Sequence, residues 1–410
     1  MTADATTPAA AAVGPSGDRT DIVIVAAART AQGRLNGQLS SLTAPQLGAA
    51  AIAGALQRGG VPAAAIDAVI MGQVLPAGSG QNAARQAAIA AGIGWDVPAH
   101  SVNKVCLSGL TAVIDAARTI AVGDASVVVA GGMESMSQAP HLLTGSRRGW
   151  TYGSVEVLDH MAHDGLTDAY DGESMGASTE RHNARFGLTR AEQDSVAARS
   201  HQRAATATDA GVFDAEIVPV EVPQRKGEPL LVTRDEGIRP ETTVESLAKL
   251  RPAFAADGSI TAGSSSQISD GASAVVVTTR ARAAAEGWTV LAAIGASGQT
   301  AGPDNSLQAQ PSRAIARALE KQGLAVGELD FVEINEAFGA VVAQSQKELG
   351  LGDEVVNLHG GGIAIGHPIG ASGNRLVVHA AHELARRGGG TAAVALCGGG
   401  GQGDALILRA

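Results

Sequence analysis

Aromatic residues, positive charge and cysteine are all scarce in this sequence of 410 residues. Five Phe, three Trp and two Tyr are too few for the stacking platforms that hold single-stranded nucleic acid. Thirty basic residues against 40 acidic ones give a net charge of −10, which also argues against nucleic-acid binding. Two cysteines, Cys106 and Cys397, are too few for a disulfide framework, so we expect free thiols in a reduced, cytoplasmic protein.

Long apolar runs and targeting features are also missing. No uncharged apolar stretch reaches the ~18 residues that suggest a membrane span. Residues 1–20 are rich in Ala, Thr, Pro and Gly without a basic segment or an apolar core, so we expect a disordered tail and not a targeting signal. The chain as a whole is 45% apolar and 17% charged, which is typical of a globular protein with more than one core.

Hydrophobic periodicity predicts two series of alternating strands and helices. The first series has strands at 22–27, 66–71, 101–105 and 125–130 and helices at 43–58, 81–91 and 107–122. The second series has strands at 288–294, 329–335, 355–358, 391–397 and 404–408 and helices at 311–322, 336–349 and 371–387. Four elements recur at offsets of 263 to 266 residues, which indicates two similar α/β halves.

The last strand of the first half breaks this offset. A run at 273–279 resembles the final strand of the chain but lies only about half the offset before it, so a long segment is inserted ahead of it. We therefore predict an α/β protein, divided as follows: a tail at 1–20, a first half at 21–136 plus 264–284, an inserted loop domain at 137–263, and a second half at 285–410. The insertion is a natural place for substrate specificity.

Two residues at helix starts suggest covalent chemistry. Cys106 lies at a predicted strand-to-helix junction, where free backbone amides and the helix dipole favour a thiolate. His367 lies between glycines just before the helix that the repeat equates with the one after Cys106. If the repeat brings the two helices together, an imidazole base stands beside a thiol nucleophile, as acyl transfer requires. A small buried cysteine and a structural histidine are the alternatives.

Cys397 ends a predicted strand and is followed by a glycine-rich turn whose amides could face an oxyanion. The glycines at 398, 400 and 403 also match the dinucleotide-binding spacing, but a strand follows them where that motif needs a helix. His160 with His163, and His379 with His382, have metal-ligand spacing, but no further ligand completes a site, so we predict no metal.

Four motifs together resemble the thiolase family, and the resemblance runs from residue 21 to residue 410. They are VNKVCLSG at 102–109, GGMESM at 131–136, NEAF at 335–338, and GHPIGASG at 366–373 with CGGG at 397–400. The resemblance implies a five-layered αβαβα fold and an acyltransferase that condenses acetyl-CoA or cleaves 3-ketoacyl-CoA. It also implies a dimer or, as we predict, a homotetramer in fatty acid metabolism that binds small acyl-CoA substrates and holds no cofactor tightly.

The resemblance assigns roles to individual residues. Cys106 would accept the acyl group, His367 would activate it, and Cys397 would exchange a proton with the α-carbon of acetyl-CoA. Asn335 would hold a catalytic water, and the amides of Cys106 and Gly399 would stabilise the oxyanion. The residues implied to contact coenzyme A are Arg239, Ser246, Leu250, Phe254, Ser266, Met175 and Phe338.

Two departures from the family pattern leave the acyl length open. Ser174 stands where many short-chain thiolases have a histidine, and the loop at 301–307 lacks the usual Met-Gly-x-Gly-Pro. Rival functions are a decarboxylating ketoacyl synthase of the same fold, which needs no second thiol, and a non-catalytic acyl-CoA or sterol carrier. A Rossmann oxidoreductase is a third alternative, and it would bind NAD.

Overall fold

The computed structural model describes residues 22–410, so the tail predicted at 1–20 lies outside the described residues. The first series of elements alternates strands with helices, as predicted, up to the fifth strand. Its members are β1 (Ile22–Thr30), β2 (Gly33–Arg34), α1 (Ala44–Gly59), β3 (Ala68–Gly72), α2 (Ala83–Ala90), β4 (Ala99–Val102), α3 (Ser108–Ala121) and β5 (Val127–Ser135).

The next stretch contains short strands and two long helices before it returns to the first half. Its elements are β6 (His141–Leu142), β7 (Leu158–Asp159), α4 (Met175–Phe186), α5 (Arg190–Asp209), β8 (Ile217–Val218), β9 (Val220–Val222), β10 (Leu230–Val232), α6 (Val244–Leu247), β11 (Ser269–Thr279) and α7 (Arg280–Glu286). A π-helical turn, Met161–Gly165, precedes α4.

The second series repeats the order of the first. Its elements are β12 (Ala292–Ala301), α8 (Gln310–Gln322), β13 (Phe331–Ile334), α9 (Gly339–Leu349), α10 (Gly362–Ile365), α11 (Ser372–Arg387), β14 (Thr391–Gly398) and β15 (Gln402–Arg409). Helices α3 and α11 begin at Ser108 and Ser372, 264 residues apart, in agreement with the predicted repeat.

The predicted strand at 355–358 is wrong. Two isolated bridges replace it, Val356 with Val332 and Leu358 with Gly360. Asn357 has a positive φ of 49°, which strand geometry does not allow. Its side chain takes the place of a neighbouring strand: Oδ1 accepts from the amide of Ile334 at 2.7 Å and Nδ2 donates to the carbonyl of Ile334 at 2.9 Å. The strand predicted at 101–105 lies earlier in the chain, at Ala99–Val102.

The strands of the two halves pair in the same way. In the first half the order is β4-β3-β5-β11-β1, and in the second it is β13-β14-β15-β12, with a parallel pair β3–β5 matched by β13–β14. A short antiparallel contact between β1 and β12 joins the two sheets. Helices α1 and α2 cover the outer face of the first sheet, and α8 and α9 cover that of the second.

Helices α3 and α11 fill the layer between the two sheets, so the layers follow the order αβαβα. Leu110 and Leu376, from the two helices, belong to one buried cluster with strand residues of both halves. Gly109 and Gly373 let the helix starts meet, because an added Cβ would lie 2.8 Å from the Asn374 nitrogen and 2.5 Å from the Leu110 nitrogen, respectively. The close approach brings the residues before each helix to one place.

A buried charge cluster connects the segment between β5 and β11 to the first sheet. Arg29 on β1 is 1% exposed and pairs with Glu216 at 2.9 Å and Asp235 at 2.8 Å. His379 on α11 contacts the same Glu216 through Nδ1 at 2.5 Å. Removing one member of such a cluster leaves a buried charge without its partner, which costs several kcal/mol, so the segment is firmly attached.

Within residues 22–410, no helix combines the length and the apolar character that a membrane crossing requires.

Candidate active site

Cys106 lies in a tight turn between β4 and α3. Val105 has a positive φ of 51°, an unfavourable conformation for a β-branched residue. Asn103 supports it, since the Val105 amide donates to Asn103 Oδ1 at 3.0 Å. Ser108, the first residue of α3, closes the turn: its Oγ accepts from the Lys104 amide at 2.8 Å and donates to the Val105 carbonyl at 2.6 Å. The turn therefore fixes the position of the half-buried thiol.

The Cys106 thiol is protonated at rest, contrary to the thiolate we expected at a helix start. Burial raises the pKa of Cys106 to about 12, although the backbone amides of Cys106 and Gly399 hydrogen-bond the sulfur and oppose the rise. The negative charge of Glu134 raises the pKa further. The thiol must therefore lose its proton to a base before it can act as a nucleophile.

His367 lies in the loop between α10 and α11 and is 5% exposed. Its Nδ1 lies 2.5 Å from Ser372 Oγ, and that hydroxyl donates to the Pro368 carbonyl at 2.9 Å. Because the hydroxyl proton goes to Pro368, the imidazole proton lies on Nδ1, and the lone pair of Nε2 faces the Asn335 amide nitrogen. Burial, with a smaller contribution from Arg375, lowers the pKa of His367 to about 3. The ring is thus a neutral proton acceptor.

Asn335 follows β13 and is completely buried. Its Nδ2 lies 3.4 Å from Nε2 of His367, and its Oδ1 has no hydrogen-bond partner among residues 22–410. Glu336 fixes this segment, because its carboxylate accepts from Ser200 Oγ at 2.5 Å and from Asn357 Nδ2 at 2.8 Å. A buried amide oxygen without a partner is available for a polar atom of substrate or water.

Cys397 is the second cysteine of the site and lies near the end of β14. It is 1% exposed, and burial raises the pKa of its thiol, with a further rise from the nearby Cys106. The glycine turn after it leads directly into β15, so no helix follows and the dinucleotide reading is excluded here. The structure thus brings Cys106, Cys397 and Gly399 together.

A cavity of about 450 Å³ opens beside His367. Four residues implied to contact coenzyme A line it: Met175, Phe254, Ser266 and Phe338. The rings of Phe254 and Phe338 meet edge to face with centroids 6.1 Å apart. Apolar residues complete the wall on the side of Cys106; among them are Met136 and Ile369, which pack with Val74 and Leu75 in a small cluster that Cys106 also touches.

The other three residues implied to contact coenzyme A lie outside this cavity lining, at the surface. Arg239 is exposed, and its amide donates to Nδ1 of the buried His201 at 3.2 Å. The Ser246 hydroxyl is engaged locally and donates to the Thr243 carbonyl at 2.8 Å. Leu250 packs near Gly263, where an added Cβ would lie 2.6 Å from its Cδ1.

Sequence reasoning missed what two serines do. Ser372 sets the tautomer of His367. The signal in the sequence was the position of this serine, five residues after the histidine. Ser174, which we treated as a vacated substrate contact, is also the N-cap of α4, since its Oγ accepts from the Ala177 amide at 3.2 Å. An N-cap serine before a predicted helix would have been a readable signal, but no helix was predicted there.

The two departures from the family pattern are connected through one helix, α4. His182 on α4, the helix that Ser174 caps, lies 3.2 Å from Asn305 Oδ1 through its Nε2. Arg185 on the same helix donates to Ser306 Oγ at 2.9 Å and also pairs with Asp304. The loop at 301–307 therefore packs against the C-terminal half of α4.

No group of three or more His, Cys, Asp or Glu side chains within residues 22–410 is arranged to hold a metal ion.

The fold and the site together define an α/β enzyme of two similar halves, with a thiol and an imidazole at the starts of its two central helices. The model of the thiolase N-terminal domain matches residues 22–281, and that of the thiolase C-terminal domain matches residues 288–410. The chain belongs to the thiolase family and is an acyltransferase.

Named relatives agree with this assignment. A "Probable acetyl-CoA acetyltransferase" of Mycobacterium tuberculosis is 58% identical over 95% of this chain and 100% of its own. An "Acetyl-CoA acetyltransferase" of Pseudomonas aeruginosa is 51% identical over 95% of this chain and 99% of its own. The crystal structure of the Bacillus anthracis acetyl-CoA acetyltransferase superimposes with a TM-score of 0.92 at 38% identity, over 95% of this chain and 98% of that one.

Proposed function

We propose that this thiolase condenses two molecules of acetyl-CoA to acetoacetyl-CoA, and in reverse cleaves 3-ketoacyl-CoA with coenzyme A, through an acyl-enzyme on Cys106. The observation that carries the proposal is that the amides of Cys106 and Gly399 are turned toward the Cys106 sulfur. A neutral His367 lines the cavity whose wall includes Ile369, a residue of the cluster that Cys106 touches. Relatives named acetyl-CoA acetyltransferase at 51 to 58% identity support the same substrate.

The first half-reaction forms the acyl-enzyme. Nε2 of His367 takes the thiol proton, and the Cys106 sulfur attacks the thioester carbonyl of acetyl-CoA. The amides of Cys106 and Gly399 stabilise the oxyanion. The carbon–sulfur bond to coenzyme A then breaks, and the departing thiolate takes the proton of the Cys397 thiol. This leaves Cys397 as a thiolate and His367 as an imidazolium. A raised thiol pKa and a lowered imidazole pKa make the resting pair neutral, so no charge is buried before substrate arrives.

The second half-reaction forms the carbon–carbon bond. Cys397, acting as a thiolate, removes a proton from the α-carbon of a second acetyl-CoA, and the enolate oxygen lies against His367 and the polar group held by Asn335. The α-carbon attacks the acyl carbonyl on Cys106, the carbon–sulfur bond breaks, and the Cys106 thiolate recovers its proton from His367, while Cys397 keeps the proton taken from the α-carbon. Thiolysis runs through the same steps in reverse.

Coenzyme A occupies the cavity beside His367 in this proposal. Phe254, Ser266, Met175 and Phe338 contact the pantetheine arm and the acyl group, as their place in the lining supports. The exposed Arg239 offers its guanidinium to a phosphate, with Ser246 and Leu250 toward the adenine end.

Further properties complete the proposal. The division of the chain into two halves with an inserted domain at 137–263 is part of it, and this insertion would carry coenzyme A and oligomer contacts. Trp150 and Tyr152 in this insertion are 48% and 102% exposed, which supports contact with a second copy. The enzyme works as a cytoplasmic homotetramer, without a tightly bound cofactor and without nucleic-acid or membrane partners.

Steady-state thiolysis of 3-ketoacyl-CoA of increasing chain length, measured beside acetyl-CoA condensation, tests the proposal. We expect both reactions in the parent enzyme, and their loss by about 10⁴-fold or more in Cys106→Ala, which removes the nucleophile. Full activity in Cys106→Ala, or no turnover of any acyl-CoA by the folded parent, would contradict it.

A further inference from the structure

Glu134 is a buried carboxylate that the mechanism above does not use. It lies near the end of β5 and is 0% exposed. Its Oε2 accepts from the amides of Val74 at 2.9 Å and Gly370 at 2.9 Å, and its Oε1 accepts from the amide of Leu75 at 3.1 Å. One carboxylate therefore joins backbone from both halves of the molecule.

One side of this connection supports the nucleophile. Val74 and Leu75 belong to the small apolar cluster that Cys106 touches. Asn103, which supports the turn before Cys106, donates from Nδ2 to the Val74 carbonyl at 3.4 Å. Moving the segment after β3 would therefore move the turn that holds the thiol.

The other side supports the base. Gly370 lies three residues after His367, in the loop that leads into α11. An added Cβ at Gly370 would lie 2.7 Å from Glu134 Oε2 and 2.9 Å from Gln73 Cα, so only glycine allows the loop to come this close. The loop carrying His367 is thus held against the segment that supports Cys106.

No cation compensates this carboxylate. Within residues 22–410, no Lys, Arg or His nitrogen forms an ion pair with Glu134. The ionisable groups around it are Asp270, itself buried and hydrogen-bonded to Ser137, and Cys106. Three amide donors stabilise the negative charge, and this charge acts on the Cys106 thiol.

We propose that Glu134 is a positioning residue of the thiolase reaction: its carboxylate ties the backbone beside Cys106 to the backbone beside His367. The proposal rests on the roles proposed above for Cys106 and His367. It would explain why a carboxylate is kept where burial is costly.

The electrostatics around the carboxylate supply a readout that loosened packing cannot imitate. Burial raises the pKa of Glu134 to about 7, against the effect of the three amides. The group is therefore charged at pH 8.5 and neutral at pH 6. Removing the charge should make Cys106 more reactive at the higher pH only, whereas a looser site would be more reactive at both.

Two variants separate charge from reach. Glu134→Gln removes the charge and presents an NH2 group to amide donors, and Glu134→Asp keeps the charge but is too short to reach all three amides. We expect kcat to fall about tenfold or more in both, with KM changed less than threefold, since hydrogen bonds to a charged group are lost. Iodoacetamide should label Cys106 roughly threefold faster at pH 8.5 in Glu134→Gln but not in Glu134→Asp, and equally at pH 6 in all.

A control carboxylate, Asp67, lies just before β3 and contacts the backbone at the opposite end of β5 from Glu134. Asp67 Oδ2 accepts from the amides of Ser126 at 2.7 Å and Val127 at 2.9 Å, so Asp67→Asn disturbs a similar carboxylate–amide contact far from the site. We expect this variant to match the parent in kcat and in labelling at both values of pH.

Several outcomes would overturn the proposal. One is a kcat within twofold of the parent in both Glu134 variants. Another is a labelling rate of Cys106 in Glu134→Gln that equals that of the parent at both pH 8.5 and pH 6. A third is a labelling rate in Glu134→Gln that is raised by the same factor at both values of pH. If neither variant folds, hydrogen exchange in the parent decides: the amides of Val74, Leu75 and Gly370 should exchange slowly, and rapid exchange contradicts the connection. Alkylation by iodoacetamide requires no turnover, so it tests the role of Glu134 even in an inactive enzyme. The proposed function is tested separately: it would be refuted if the parent incubated with acetyl-CoA carried no acetyl group on Cys106.

Discussion

The starts of the two central helices have the same backbone plan but different chemistry. Ser108 and Ser372 are equivalent first residues of α3 and α11. Both hydroxyls donate to a backbone carbonyl, but the Ser108 oxygen accepts from the Lys104 amide, whereas the Ser372 oxygen faces the imidazole of His367. One duplicated helix start therefore fixes a nucleophile through its backbone and a base through its ring.

The difference also explains the distance of each group from its helix. Cys106 lies two residues before α3, within reach of free amides, while His367 lies five residues before α11 in a longer glycine-bounded loop. The nucleophile needs backbone amides beside it to stabilise the oxyanion. The base needs a partner that keeps the proton on Nδ1, so that Nε2 is unprotonated. The following changes test this division of labour, from the largest expected effect to the smallest.

Cys397→Ala leaves both helix starts intact and removes the proposed acid/base of the α-carbon. We expect turnover to fall by about 10²- to 10⁴-fold, which is typical of losing a general acid or base, while acetylation of Cys106 continues. Rapid-quench measurement of acylation beside steady-state condensation separates the two. Turnover within tenfold of the parent would show that this thiol is structural.

Ser372→Ala and Ser108→Ala test the comparison directly. Without the Ser372 hydroxyl the imidazole loses the partner that fixes its tautomer, so we expect kcat to fall about tenfold, or about 1.4 kcal/mol, with KM little changed. Ser108→Ala should cost about 1 kcal/mol in the free energy of unfolding and less in kcat. Urea unfolding and steady-state kinetics of both variants check this. The reverse pattern would show that the two serines do not divide the work in this way.

Ser174→His introduces an imidazole above the acyl site, at the start of α4, the helix against which the loop at 301–307 packs. A methylene in an apolar pocket is worth only ~1 to 3 kcal/mol, so we expect the parent to show graded tolerance of four- to six-carbon 3-ketoacyl-CoA. The variant should prefer acetoacetyl-CoA more strongly, by a few-fold in kcat/KM. Ser174→Ala, which removes only the N-cap, is the control. An unchanged length profile in Ser174→His would move the specificity to residues 304–307.

Local sequence features predicted much of the fold and the site because they depend on neighbours along the chain. Periodicity gave the repeated strands and helices, and the motifs gave Cys106, His367, Asn335 and Cys397. Other features depend on distant residues. The protonated state of Cys106 follows from burial by both halves, and the missing strand at 355–358 follows from the Asn357 side chain on β13.

The connection through Glu134 shows the same limit. The sequence places this residue in a motif, but nothing near it along the chain indicates that it meets Val74, Leu75 and Gly370. The contacts with Val74 and Leu75 come from the pairing of β3 with β5, whereas the contact with Gly370 comes from the other half, which approaches where α3 and α11 meet.

The central claim is that Cys106 carries the acyl group while the second helix start supplies the base, and a trapped intermediate tests it most directly. Cys397→Ala incubated with acetyl-CoA, digested and examined by mass spectrometry should carry one acetyl group on the peptide that contains Cys106, and added coenzyme A should remove it. His367→Ala in the same background should acquire it about 10²-fold more slowly or worse. Folded Cys397→Ala without an acetyl group on Cys106, or with equal acetylation in the absence of His367, would contradict the account.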